Sequence, residues 1–135
     1  MSMHRRIKIC LLNATSGEYI NEAPLNLLYL ASHLFDKKIV DESEVKIIDT
    51  VLDDPVTFVD RYQADVVGIS VITPFFPLAH EIAVKLRARF PSLVIVIGGY
   101  HISSLPTSIA QPFDYGVIGE GEETFAELIQ LLQKT

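Results

Sequence analysis

Short, continuously apolar runs alternate along this chain with segments whose apolar residues recur every three or four positions. A run such as Leu93 to Ile97 is typical of a strand buried on both faces of a parallel sheet. The spacing of Leu27, Ala31 and Leu34 is typical of an amphipathic helix. The pattern predicts strands over 7–12, 45–48, 66–71, 93–97 and 115–118, and helices over 24–35, 55–62, 77–90, 104–110 and 122–132.

The regular alternation of strand and helix predicts the α/β class. Five such units fit a flavodoxin-like, doubly wound domain with three layers, α/β/α, and a five-stranded parallel sheet in the order 2-1-3-4-5. In this architecture a ligand binds outside the carboxyl ends of the strands, near the point where the strand order reverses. We therefore expect a functional site in the loops 13–23, 70–76, 98–106 and 119–124.

Length and composition set the limits of this interpretation. The 135 residues, 49% of them hydrophobic, fit one domain with its own core, so residues 1–135 are interpreted as a single domain. Apolar runs fall short of the ~20 residues of a membrane span, and Met1 to Arg6 precedes no signal pattern, so we expect a cytoplasmic protein. The net charge of −6 argues against a nucleic-acid partner. The single cysteine, Cys10, is predicted to be a buried thiol without redox chemistry.

The residues at the predicted strand ends discriminate among ligand classes. A phosphoacceptor receiver needs carboxylates after the first and third strands and a lysine after the fifth, but Asn13, Ser70 and Gly119 stand there, which excludes that class. A Rossmann nucleotide site is also excluded because its glycine-rich fingerprint belongs after the first strand, whereas Gly119-Glu120-Gly121 follows the last. An FMN site stays open because Asn13 to Gly17 offers hydroxyl and glycine residues that could hold a phosphate.

Two segments carry a family resemblance. Residues 96–101, Val-Ile-Gly-Gly-Tyr-His, and residues 114–124, Asp-Tyr-Gly-Val-Ile-Gly-Glu-Gly-Glu-Glu-Thr, resemble the N-terminal B12-binding domain of cobalamin-dependent radical SAM enzymes. Residues 24–31 resemble the first helix of that family, where glycine is common in place of Asn26, and residues 45–49 resemble its second strand. The resemblance covers nearly the whole chain and implies a cobalamin-binding module, the N-terminal part of a longer radical SAM enzyme.

The wider B12-binding superfamily carries DxHxxG after the first strand, SxL after the third and GG after the fourth. Ser70-Val71-Ile72 is similar to SxL and Gly98-Gly99 to GG, but residues 13–17 contain no histidine. The radical SAM branch characteristically lacks this histidine too. The resemblance therefore implies base-off cobalamin without a histidine ligand from the first loop, its dimethylbenzimidazole tail extended beside Ser70 and Gly98-Gly99.

The residue types fit such a ligand. Gly98 and Gly99 would let the tail pass against the backbone, so a tryptophan at position 99 should fill the crevice without entering the core. Ser70 and Thr73 could hydrogen-bond polar atoms of the tail. No catalytic residue and no metal ligand is predicted. The candidate cofactor-binding residues are Asn13, Thr15, Ser70, Val71, Thr73, Gly98, Gly99, Tyr100, His101, Gly119, Glu120 and Gly121.

The resemblance also implies a role. The module would position a corrinoid for a radical SAM domain, in cis or in trans, and the parent protein would be a B12-dependent enzyme of the methyltransferase type. With one cysteine, the chain cannot hold a [4Fe-4S] cluster alone, so the cluster and S-adenosylmethionine would belong to a partner domain. Two alternatives stay open: a degenerate flavodoxin-like interaction domain that binds no cofactor, and an FMN-binding electron carrier.

Overall fold

The computed structural model describes residues 5–15, 24–50, 52–99, 111–118 and 121–134. The predicted helix over 104–110 lies outside these residues. Five strands and four α-helices are described, and the elements alternate as the sequence pattern predicts. The strands are β1 (Ile9–Asn13), β2 (Val45–Ile47), β3 (Val66–Ser70), β4 (Val94–Gly98) and β5 (Tyr115–Val117), and the helices are α1 (Leu25–Asp36), α2 (Pro55–Tyr62), α3 (Phe76–Arg89) and α4 (Glu122–Gln133).

The five strands form one parallel sheet in the order β2-β1-β3-β4-β5. This order confirms the predicted flavodoxin-like, doubly wound α/β fold. The chain moves outward from β1 in one direction to β2 and in the other to β3, so the strand order reverses between β1 and β3. In folds of this type the loops that leave the carboxyl ends of these two strands diverge, and ligands bind between them.

Alternate residues of each strand face two separate cores. On one face, Cys10 and Leu12 pack with Val67, Ile69, Ile95 and Ile97 beneath α2 and α3. On the other face, Ile9, Leu11, Val66, Val96 and Val117 pack beneath α1 and α4, together with Leu27, Leu34, Phe125 and Ile129. None of the described helices is long and apolar enough to cross a membrane.

Local signals explain why α2 has the predicted bounds. The carboxylate of Asp54 accepts a hydrogen bond of 3.1 Å from the backbone N–H of Thr57, and Pro55 is favoured in the first turn because its missing N–H is not needed there. The helix ends at Gln63, whose φ of 62° is left-handed and stops the helix. Both ends are therefore set within a few residues of sequence.

The carboxyl ends of the strands differ from the prediction by one residue, and β1 begins two residues later than predicted, at Ile9. β1 reaches Asn13 and β4 reaches Gly98, one residue further than predicted, whereas β3 ends at Ser70. These three residues pair with one another in the parallel register. Because the neighbouring strand sets where a ladder ends, the apolar runs alone could not give these positions.

Asp114 opens the second segment that resembles the B12-binding domain, and its role here is structural. Its carboxylate accepts a hydrogen bond of 2.7 Å from the N–H of Ile95 and is paired with the guanidinium of Arg87. The same guanidinium donates to the carbonyls of Leu93, at 2.6 Å, and Pro112, at 3.1 Å. Asp114 thus joins the start of β5 to β4 and α3, at the amino end of the strand.

Cys10 lies in the middle of the core between the sheet and α2 and α3, with 0% of its surface exposed. This burial raises the pKa of its thiol to about 12, because the thiolate would lose its hydration there. The prediction of a buried cysteine is confirmed. A thiol with this pKa is protonated and unreactive at neutral pH.

Candidate functional site

A row of small and polar residues crosses the carboxyl edge of the sheet. Asn13, Ser70, Gly98 and Val117 are paired neighbours on β1, β3, β4 and β5. Leu11, two residues before Asn13, packs beneath α1 and α4, so the row faces the same side of the sheet. In three of its four positions the apolar strand residues are thus replaced by an amide, a hydroxyl and a glycine. We call these three residues, with the helix residue described next, the edge site.

Asn26, in the first turn of α1, connects two strands of the edge site. Its amide Nδ2 donates to the Oδ1 of Asn13 at 2.9 Å and to the Oγ of Ser70 at 3.0 Å. In return, the Nδ2 of Asn13 donates to the Oδ1 of Asn26 at 3.2 Å. Three side chains from β1, β3 and α1 therefore form one hydrogen-bonded network at the point where the strand order reverses.

Gly98 places no side chain beside this network. A Cβ atom built on Gly98 would have two heavy atoms of the described residues within 4 Å, the carbonyl oxygen of Val117 at 3.5 Å and its Cβ at 3.6 Å. Both distances are ordinary van der Waals contacts, so the backbone itself does not require glycine here. The missing side chain instead opens the edge of the sheet next to Ser70, where a ligand could approach the backbone.

Gly99 has a different role. Its φ is +106°, and a Cβ atom there would lie 2.5 Å from the carbonyl oxygen and 2.9 Å from the nitrogen of Val71. Position 99 therefore needs glycine for its own conformation and for packing against the chain after β3. The expectation that a tryptophan at position 99 would fill a crevice without disturbing the core is wrong, because any side chain there collides with backbone.

Gly121 lies at the other end of the row, where the chain enters α4. Its φ is +93°, and a Cβ atom there would lie 3.4 Å from Cγ1 of Val117 and 3.9 Å from Cδ2 of Leu30. Leu30 belongs to α1, so Gly121 lies where α1 approaches the end of β5. Glycine is needed here for the left-handed turn that starts α4.

The remaining predicted site residues have varied positions. Thr15 is half-buried just after β1, and its N–H donates to the carbonyl of Asn13 at 3.1 Å. The side chain of Val71 is 2% exposed and belongs to the core beneath α2 and α3, so only its backbone borders Gly99. Thr73 begins a short 3-10 turn before α3, and its side chain lies outside the described part of the chain. Tyr100, His101, Gly119 and Glu120 also lie outside it.

The chemistry of the edge site is that of binding. Its described side chains are neutral amides and a hydroxyl, which donate and accept hydrogen bonds but do not exchange protons at neutral pH. Among the described residues, no cluster of histidine, cysteine and acidic side chains could hold a metal ion. A ligand with amide, phosphate or ring-nitrogen groups on a bulky frame fits these donors and the space beside Gly98. A corrinoid has these groups.

Asn26 was not among the candidate residues from the sequence. It contacts Asn13 and Ser70, which are 13 and 44 residues away, and such contacts have no local signature. One signal was available. Asparagine is disfavoured in helices, yet Asn26 lies in the first turn of a helix that begins at the switch point. A polar residue in such a place is a candidate for ligand contact.

Comparison with known proteins gives one family and two relatives. Residues 12–129 match the family profile described as the B12 binding domain. An uncharacterized methyltransferase of Pyrococcus horikoshii is 34% identical over 120 residues, which cover 82% of this chain and 25% of the relative. The anaerobic magnesium-protoporphyrin IX monomethyl ester cyclase of Synechocystis is 39% identical over 71 residues, which cover 50% of this chain and 14% of that protein. No solved structure gives a significant match.

The chain thus spans about a quarter or less of the length of these two relatives. The family match includes four of the five strands entirely and nearly all of the α/β/α architecture. It also includes every residue of the edge site. From this match and the fold, the chain belongs to the B12-binding domain family.

Proposed function

We propose that this chain is a cobalamin-binding module that holds the nucleotide tail of the corrinoid at the edge site. The observation that carries the proposal is the glycine at position 98, where a Cβ atom would meet the described residues only in ordinary contacts with Val117, next to the hydrogen-bonded side chains of Asn13, Asn26 and Ser70. This combination occurs at the switch point of a doubly wound sheet, which is where such folds bind ligands. Membership in the B12-binding domain family is consistent with it.

Each residue of the edge site has a proposed part in binding. Gly98 admits the tail against the end of β4, and the side chains of Asn13 and Ser70 hydrogen-bond its acceptors. Thr15, Gly99 and Gly121 shape the surrounding backbone. For Thr73, Tyr100, His101, Gly119 and Glu120, the proposed part in binding rests on the resemblance alone. Val71 contributes through its backbone, since its side chain is buried on the other face.

Bound cobalamin supplies a cobalt centre that can carry and transfer a methyl group. The first loop, residues 13–23, contains no histidine. We therefore propose that the cobalamin is held base-off, without an axial ligand from this loop. The protein's task is then to bind and orient the cofactor. The neutral side chains of the edge site suit this task, because they do not compete for protons.

We also propose that the module works with a radical SAM domain, as the N-terminal part of a longer enzyme. Support comes from the resemblance of residues 96–101 and 114–124 to such enzymes and from two relatives that are several times longer than this chain. The name of one relative, a methyltransferase, favours methyl transfer as the reaction. The iron–sulfur cluster and S-adenosylmethionine would belong to the partner domain.

Titration of the purified chain with hydroxocobalamin tests the proposal. We expect saturable binding of one corrinoid per chain, measured by calorimetry, and the absorption spectrum of the base-off form. FMN titrated in parallel is the control for the alternative flavin site, and we expect no saturation with it. Binding of FMN alone would establish the electron carrier instead.

Binding of neither cofactor by a folded chain would contradict the cobalamin proposal and favour the degenerate interaction domain. Folding is checked on the same sample by circular dichroism and by cooperative urea unfolding. A base-on spectrum, or one with a histidine ligand, would retain cobalamin binding but refute the proposed coordination.

A further inference from the structure

The side chain of Asn26 is directed at the sheet rather than at its own helix. The N-cap residue of α1 is Pro24, which makes no capping hydrogen bond through its side chain. Asn26 is solvent-exposed, so water could satisfy its amide without any protein partner. Its three side-chain hydrogen bonds to Asn13 and Ser70 are therefore not required by burial.

Counting donors and acceptors fixes the direction of these bonds. Asn26 has two N–H donors, and both are used, one on the Oδ1 of Asn13 and one on the Oγ of Ser70. Ser70 is thus the acceptor in its bond with Asn26, and its own O–H hydrogen is left to donate elsewhere. Asn13 uses one of its two N–H donors on Asn26, which leaves it one as well.

We propose that Asn26 is a positioning residue that fixes the Ser70 hydroxyl as a donor toward the ligand. The Ser70 O–H and the remaining side-chain N–H of Asn13 are then two donors for one acceptor on the nucleotide tail. This acceptor is either a phosphate oxygen or a ring nitrogen. This inference rests on the proposed function, because it assigns a ligand to the same site. It adds a residue that orients the contact without making it.

Replacing Asn26 with aspartate tests the direction of the bonds. An introduced carboxylate has nearly the same shape but only accepts hydrogen bonds, so the Ser70 hydroxyl must turn inward to donate to it. The outward donor is then lost, and we expect hydroxocobalamin to bind about tenfold more weakly, as expected for one hydrogen bond of about 1.4 kcal/mol. Asn26→Ala frees the hydroxyl instead and should cost less, about threefold.

Four further measurements isolate this effect. Ser32→Asp adds a negative charge on an exposed part of α1 and should leave the affinity unchanged. Cobinamide, which lacks the nucleotide tail, should bind all variants equally. Cobinamide phosphate separates the two acceptors, since a loss of affinity with Asn26→Asp would then identify the phosphate, and no loss would identify the ring nitrogen. In a Ser70→Ala background, Asn26→Asp should have no further effect.

The possible results separate the inference from the proposed function. Wild-type chain that binds hydroxocobalamin, with Asn26→Asp binding equally well, would overturn the inference alone. The inference is also overturned if Asn26→Asp weakens the binding of cobinamide as much as that of hydroxocobalamin. It is overturned as well if Asn26→Ala loses more affinity for hydroxocobalamin than Asn26→Asp. A folded wild-type chain that does not bind hydroxocobalamin would overturn the proposed function, and the inference with it.

Discussion

Gly99 packs so closely against Val71 that a Cβ atom at position 99 would lie 2.5 Å from the carbonyl oxygen of Val71. Gly98, the preceding residue, would place its Cβ atom in ordinary contact at 3.5 Å. Two adjacent glycines therefore have separate roles, one in shaping the backbone and one in leaving space. This difference determines which position can test ligand binding.

Alanine at each of the two glycines should change the free energy of unfolding by very different amounts. Gly99→Ala should lower the free energy of unfolding by about 2 kcal/mol or more, because it combines a positive φ with a backbone collision. Gly98→Ala should change it by less than about 1 kcal/mol, since among the described residues its Cβ meets only Val117, at ordinary contact distances. Urea unfolding followed by circular dichroism measures both. Equal destabilisation of the two variants would contradict the separate roles.

Arg87 is expected to be important for stability. Arg87→Met keeps much of the aliphatic stem but removes the donors to Leu93 and Pro112 and the partner of Asp114. We expect a loss of about 2 to 3 kcal/mol in the free energy of unfolding, because partly buried acceptors lose their donors.

Arg89 provides the matched control for this substitution. It is two residues away on the same helix, its side chain is 61% exposed, and its contact with Asp60 is 3.6 Å. Arg89→Met should therefore cost less than about 1 kcal/mol. A loss at Arg87 no greater than that at Arg89 would show that the network joining β4 and β5 is not stabilising.

From the burial of Cys10 we predict how the free energy of unfolding changes at alkaline pH. Burial raises the pKa of its thiol from 9.0, the value of an exposed thiol, to about 12 in the folded chain. Because the pKa is raised on folding, the buried, protonated thiol makes its full contribution to the free energy of unfolding below about pH 9. This contribution is lost as the pH rises toward 12. The folded chain should also react with a thiol reagent only after unfolding in urea.

The Cys10→Ala variant tests this pH dependence. It should be less stable than the wild type at pH 7, because it leaves a small cavity, and the difference should shrink between pH 9 and pH 11. Rapid labelling of the wild-type thiol under native conditions at neutral pH would refute its burial, and a constant difference across this pH range would refute its raised pKa.

The sequence predicted the parts of the fold that depend on local patterns. Continuous apolar runs identified the strands, and Pro55 after Asp54 fixed the start of α2, because these signals lie within a few residues. The strand ends at Asn13 and Gly98 were each missed by one residue, since pairing with β3 determines them. Local propensity carries no information about pairing between residues that are far apart in the sequence.

The candidate site was predicted less completely. Asn13, Ser70 and Gly98 were identified, and the structure brings them into one row. Asn26 was missed because its partners are distant in sequence, and Gly98 and Gly99 were treated alike because sequence does not reveal the φ angle. Val71 was included with Ser70, although alternation along the strand puts its side chain on the other face. The contacts of Asn26 depend on elements distant in sequence, and the difference between the two glycines depends on a backbone angle. The alternation that buries the side chain of Val71 was readable from the sequence.

The most direct measurement is a calorimetric titration of hydroxocobalamin into the wild-type chain and into Gly98→Leu. The Cβ atom of the added side chain would meet the described residues only in ordinary contacts with Val117. We therefore expect the variant to fold, with the rest of the leucine side chain beside Ser70. We expect wild-type chain to bind saturably and Gly98→Leu to bind at least thirtyfold more weakly, with Gly98→Ala between them. Equal affinity of a folded Gly98→Leu variant would contradict the edge site as the place where cobalamin binds.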